Sequence, residues 1–213
     1  MTNTIRILFP LLILGAALAA GELKPIQLPK PDLTGGKPLM QALNNRQSTR
    51  EFSIDTLPLP VLGNLLWAAC GINRPESGKR TAPSAMNYQE VDVYVATALG
   101  LYLYEPKTHA LQPVLNEDIR EKTGMQPFVK EVPVNLIYVA DFAKATRGSD
   151  SGRVFFAAAD AGFIAENVYL FCASEGLATV VRGSVDAPML AGIMKLRPQQ
   201  RVLLAQSVGY PKK

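Results

Sequence analysis

The sequence predicts an α+β domain, and three patterns carry that expectation. Val91, Val93 and Val95 alternate with Asp92 and Tyr94, and two more strand-like runs, 101–104 and 111–115, follow across short turns. Residues 134–140 are a continuous apolar run, as a central strand often is. Residues 151–175 form a long helical pattern rich in small side chains. Helices and strands are mixed, and strands that neighbour one another as a meander place the chain in the α+β class. The chain has 213 residues, 48% apolar and 19% charged, which is enough for one domain with a substantial core. A net charge of +4 without a dense basic tract argues against nucleic-acid binding.

The chain begins with a short segment carrying Arg6, a nearly unbroken apolar run over 7–18, and the small-residue signal Ala17-Leu18-Ala19. That order matches a secretory signal peptide over residues 1–19, and the run is shorter than the roughly 20 residues of a spanning helix. The expected location is therefore exported, in a periplasmic space, with no membrane span after cleavage; an uncleaved anchor is the alternative. Residues 20–37 hold Pro25, Pro29, Pro31, Gly35 and Gly36 and read as an extended linker. The folded domain is then expected over 38–213.

Residues 38–45 predict a short first helix. Residues 58–71 predict a better one, because Leu62, Leu65, Leu66 and Ala69 recur at helical spacing, Pro60 sits in the first turn and Gly71 marks the stop. Residues 73–80 read as a polar loop. The three strands from Val91 to Leu115 come next, with a turn at Glu105-Pro106-Lys107-Thr108 and a short polar helix over 116–122. The helix over 151–175 is apolar nearly all round, so burial on several sides is expected, and Gly176 ends it. A strand over 179–181, a helix over 187–195 and a strand over 201–208 complete the chain. Export places Cys70 and Cys172 in an oxidising setting. A bridge would close a loop of about 100 residues, worth up to about 4.7 kcal/mol in the chain-entropy model. Two buried, unpaired thiols are the other reading.

Two stretches carry chemistry. Arg46-Gln47-Ser48-Thr49-Arg50 places two fixed positive charges around a hydroxyl, a compact trap for a phosphate. Pro83-Ser84-Ala85-Met86-Asn87-Tyr88-Gln89 is a small-residue loop with an amide side chain, which suits a flat heteroaromatic ring close to the backbone. A phosphate and a flat ring together fit flavin mononucleotide (FMN). His109, the single histidine, lies in a turn and reads as a surface residue, so no multi-histidine metal site and no metal are expected. Trp67 reads as core. Asp160 and Glu166 lie on the long apolar helix, where a buried charge needs a partner. They fit either a salt bridge at a dimer interface or an exposed helix edge. No G-x-G-x-x-G or Walker pattern occurs, so no separate dinucleotide domain is expected.

Residues 46–50 and 83–89, with Gly176-Leu177-Ala178-Thr179-Val180-Val181-Arg182-Gly183 and Gly209-Tyr210-Pro211, resemble in order the flavin-binding segments of the nitroreductase-like FMN flavoproteins. The resemblance implies a nitroreductase-like fold: a central, mostly antiparallel sheet flanked by helices, a long buried central helix, and a homodimer of domain-swapped type. It also implies that Arg46 and Ser48 hold the FMN phosphate, that Gln47 binds the cofactor with them, and that Arg50 lies nearer the ribityl chain and ring. Pro83, Ser84, Ala85 and Asn87 would line the ring from the partner subunit. Backbone at Arg182 and Gly183 would face N5, and Lys212 would add charge at the phosphate. The flavin would carry the chemistry, with no catalytic side chain. Residues 65–74, 80–85 and 101–106 resemble the azoline dehydrogenase branch, which oxidises thiazolines and oxazolines in peptides. The Lys-Tyr pair of that branch is absent from 150–155. The implied activity is two-electron hydride transfer through N5 to or from a small organic substrate, with NAD(P)H, a quinol or another donor. A flavin-binding or partner-binding protein without turnover is the alternative from a different class.

Overall fold

The computed structural model describes residues 22–213, so the expected signal segment lies outside the described residues. The architecture is α+β, built on a seven-stranded sheet in the order β1-β6-β5-β4-β7-β9-β8. The strands are β1 (Ile26–Gln27), β4 (Val91–Thr97), β5 (Gly100–Glu105), β6 (Ala110–Leu115), β7 (Val134–Asp141), β8 (Ala178–Arg182) and β9 (Gln200–Gly209). Every pairing in it is antiparallel. The helices are α1 (Leu39–Asn45), α2 (Leu59–Cys70), α3 (Asp150–Glu175) and α4 (Ala187–Ile193). A two-stranded hairpin, β2 (Ile72–Arg74) with β3 (Lys79–Arg80), stands apart from the sheet.

Alternation along the strands divides the core. Val91, Val93 and Val95 face one way and, with Leu136 and Tyr138, pack under α2 and α3. Tyr94, Ala96, Ile137 and Val139 face the other way and pack under α4 and residues 119–123. Both faces of β4 are thus covered, where its sequence pattern led us to expect one. The continuous apolar run becomes β7, buried at all eight positions between β4 and β9.

Several local expectations are corrected. The stretch read as a linker does not stand away from the domain, since β1 pairs with β6 and Leu28 is buried. Residues 73–80 form most of the β2–β3 hairpin rather than a loop. Residues 116–122 give only a 3₁₀ turn, Arg120–Thr123. The long helix forms, capped by Ser149 at its start and by left-handed Gly176 (φ 71°) at its end. Within the chain it buries a single stripe, Ala157, Asp160, Ala161, Ile164, Ala165, Val168 and Cys172. It is long and apolar enough to cross a membrane, yet that stripe packs with the sheet, α1 and α2. Cys70 and Cys172 are free, buried thiols in the same apolar cluster. Burial pushes the Cys70 thiol up to about 12 and the Cys172 thiol well above its usual range, so both act as small apolar side chains.

Candidate functional site

β8 is the last strand of the sheet, so one row of its backbone groups faces outward. The 46–50 segment docks on that row. The Thr49 N–H donates to the Thr179 carbonyl at 2.9 Å. The Val181 N–H donates to the Tyr169 hydroxyl at 2.9 Å, and that hydroxyl meets Ser48 Oγ at 2.8 Å. The Arg46 guanidinium lies over the Tyr169 ring, 5.3 Å from its centre. Thr179 and Val181 direct these backbone groups away from β9, and Gly183 follows β8 directly. The motif that the sequence singled out is therefore joined to β8, the strand that precedes Gly183, with Tyr169 of α3 as the link.

The chain end joins the same place. Phe52 bridges Pro211, Ser53 N–H donates to the Tyr210 carbonyl at 2.9 Å, and Lys212 N–H reaches the Glu51 carbonyl at 3.3 Å. Exposed Arg50 and Lys212 thus lie on paired, adjacent stretches, and among the described residues neither is in an ion pair. Gln47 lines a cleft of about 270 Å³ with Lys37, Thr49, Tyr169, Gly176 and Pro211. The segment brings Arg46 and Ser48 onto Tyr169 beside exposed Arg50, a donor set that suits an anionic ligand.

Arg182 behaves differently from its neighbours. Its side chain turns inward, is 4% exposed, and donates to the Thr123 carbonyl at 2.7 Å and to Asn135 Oδ1 at 3.0 Å. Its acceptors are neutral, and burial pulls the guanidinium down to about 10. The side chain therefore anchors residues 119–130 to the sheet and offers no charge to the surface. Asn135 completes that anchor by accepting from Ser207 Oγ at 2.6 Å and donating to the Val129 carbonyl at 2.8 Å.

The second segment docks farther along α3. Ala85 N–H donates to Asp160 Oδ2 at 2.9 Å, nine positions before Tyr169, or roughly 14 Å along the helix axis. Pro83 and Asn87 are exposed, Ser84 and Ala85 half-buried, and the Asn87 amide oxygen accepts from Gln89 Nε2 at 3.1 Å. Asp160 is buried, so the exposed-edge reading applies to Glu166 and not to Asp160. Trp67 is half-buried rather than core, and its indole N–H donates to the Ile72 carbonyl at 3.3 Å. His109 is no plain surface residue. Its Nδ1 meets the Tyr104 hydroxyl at 2.9 Å and its Nε2 the Pro29 carbonyl at 3.0 Å. A carbonyl only accepts, so Nε2 carries the proton and Nδ1 accepts from Tyr104. Sequence reasoning missed Tyr169 and Glu90 altogether; a lone tyrosine on an apolar helix was the available signal for the first.

The fold defines an α+β protein with the 46–50 segment docked along one edge of its sheet. The model of the nitroreductase family matches residues 43–210, and the chain belongs to that family. It is 30% identical over 194 residues to a protein of Methanocaldococcus jannaschii that carries the nitroreductase name, covering 86% of this chain and 96% of that one. A crystal structure under the same family name from Ralstonia eutropha matches with TM-score 0.86 and 44% identity, covering 92% of each chain. The NADPH:FMN oxidoreductase of Vibrio harveyi, solved with NAD⁺, shares the fold with TM-score 0.63 and 17% identity, over 82% of this chain and 69% of that one. An Escherichia coli microcin synthetase complex contains a chain of the same fold, with TM-score 0.69 and 20% identity, over 99% of this chain and 85% of that one.

Proposed function

We propose that this chain is an exported, FMN-dependent oxidoreductase of nitroreductase type that works as a homodimer. The observation that carries the reading is the docking of the 46–50 segment on the β8 edge, with Ser48 and Arg46 held against Tyr169 and the chain end paired with residues 51–53. The donor set fits the group. Tyr169 accepts from Val181 and can donate to Ser48, which leaves the Ser48 hydroxyl proton free for a phosphate oxygen. Arg46, held flat on Tyr169, adds paired N–H donors, and Arg50 and Lys212 add charge. The Gly183 N–H and the Ser84–Ala85 loop would meet the ring. FMN, when bound, supplies two-electron chemistry that no side chain here provides. The protein's part is to bind, orient and polarise.

The two ligand-facing segments sit at different levels of α3, which fits a ring shared between subunits. The face of α3 opposite its buried stripe supports this: Phe155 is 69% and Phe163 47% exposed, and Ala158 and Gly162 between them leave room for a close neighbour. α1, which packs on α3, adds exposed Leu39, Met40 and Leu43.

Absorbance spectroscopy of the purified protein tests the reading. Bound FMN should give the yellow flavin bands, and Arg46→Ala should weaken FMN binding by about 1.5–3 kcal/mol. A protein that stays colourless after incubation with FMN, or an unchanged affinity in the variant, would overturn it. Stopped-flow bleaching with NADH, NADPH and quinols then identifies the donor. Bleaching by none of them faster than free flavin favours a binding protein without turnover.

A further inference from the structure

Beneath the loop that would line the ring lies a pair of acids with no part in the proposed chemistry. Glu90, just ahead of β4, is 1% exposed, and Asp160 on α3 is 3% exposed. Asp160 Oδ2 accepts the Ala85 N–H at 2.9 Å. Ser84 Oγ accepts the Gln89 N–H at 2.8 Å and donates to Glu90 Oε2 at 3.2 Å. The two carboxyl groups therefore meet the start of one short turn, Asp160 at the Ala85 N–H and Glu90 at Ser84 Oγ, and Ser84 Oγ itself reaches the far end at Gln89. That turn needs holding, because Met86, Asn87 and Gln89 have φ of 51°, 54° and 50°. This is the left-handed region, which side chains other than those of Asn and Asp seldom occupy.

Little water is available there. Ser84, Gln89, Glu90, Asp160 and Arg80 line a void of about 10 Å³, room for at most one molecule. Cys70 of α2 faces the same void, and Arg80 in turn faces the Asp92–Lys144 ion pair. Two carboxylates in so dry a place do not both ionise readily.

We propose that Asp160 and Glu90 are positioning residues for this loop, a two-carboxyl clamp in which Glu90 keeps its proton. With that proton in place the clamp fixes the strained turn; its loss sets two like charges in the dry void, and their repulsion opens the turn. Burial first, then the neighbouring Asp160 carboxylate, hold the Glu90 proton on above the ordinary value of 4.5. A raised affinity in the folded state contributes stability in full below 4.5, and that stability is lost as pH rises through the folded value. The effect on FMN rests on the reading that the loop lines the ring; the clamp itself does not.

Hydrogen exchange across residues 84–89 of the FMN-free protein, corrected for intrinsic rates, tests the clamp between about pH 5 and 8. Opening of the wild-type loop should rise with pH, and Glu90→Gln should flatten that rise. Asp160→Ala should speed exchange at the Ala85 amide roughly ten- to a hundredfold at every pH. A wild-type loop whose opening ignores pH, or a Glu90→Gln loop that keeps the full rise, overturns the proposal. Should Glu90→Gln fail to fold, the wild-type profile and Asp160→Ala decide. Repeating the measurement with FMN separates the two readings. If the pH response stands but FMN adds no protection to the loop, the clamp survives and the ring contact fails.

Discussion

Tyr169 Oη stands between Ser48 Oγ and the Val181 N–H, and its ring lies beneath Arg46. Tyr169→Phe keeps the ring and removes the hydroxyl, so it isolates the link between motif and strand. We expect a loss of about 0.5–1.5 kcal/mol in urea unfolding, because the site is half-exposed and water replaces part of the bond. FMN affinity should fall with it, which a fluorescence titration reads. His109 carries a second residue-scale prediction. Burial lowers its pKa below 6.5, with the Pro29 contact opposing weakly. A depressed base binds fewer protons folded than unfolded, so stability should fall as pH drops through 6.5. Thermal melts of wild type should show that fall, and His109→Gln should show less of it. Arginines flanking a serine suggested an anion trap from the sequence alone. The hydroxyl that ties them to β8 was not legible, because a tyrosine more than a hundred residues away leaves no local mark.

At the scale of elements, residues 119–130 depend on one close fit. A methyl group added at Gly124 would stand 1.8 Å from Arg182 Nη1, a guanidinium held by Thr123 and Asn135. Gly124→Ala should therefore destabilise the fold by about 1–3 kcal/mol, seen as a lower urea midpoint with an unchanged slope. An unaltered midpoint would mean that the guanidinium moves freely. Helices α1, α2 and α3 and strands β4 to β9 were legible from their length, their apolar patterning and the glycines and prolines at their ends, although the burial of β4 and α3 departed from what the patterning predicted. The β2–β3 hairpin was not, since its residues are polar and lack alternation. It is held by backbone pairing and by contacts from outside, among them the indole N–H of Trp67 on Ile72. β1 was hidden for a similar reason: two residues among prolines make no pattern, and only pairing with β6 defines them. Arg182 was expected to offer backbone beside the site, while its inward turn depends on acceptors from two separate parts of the chain, Thr123 and Asn135.

For the whole molecule, the decisive surface is the outer face of α3. The sequence shows this helix apolar nearly all round, yet the chain covers only one stripe of it. Phe155→Glu should turn a dimer into a monomer in multi-angle light scattering, with a parallel loss of bound FMN. A wild-type protein that runs as a monomer at micromolar concentration would remove the shared-ring arrangement while leaving the β8 strip intact. At the opposite end of the sheet, β1 has a separate consequence. β1 and β8 are the two margins of seven strands spaced about 4.8 Å apart, so roughly 30 Å lies between them. A bead, a fluorophore or a fused protein attached ahead of Glu22 would leave from the remote border and leave the cationic strip accessible. The same cargo attached after Lys213 would crowd that strip, so immobilisation for electrode or column work belongs at the front of the chain.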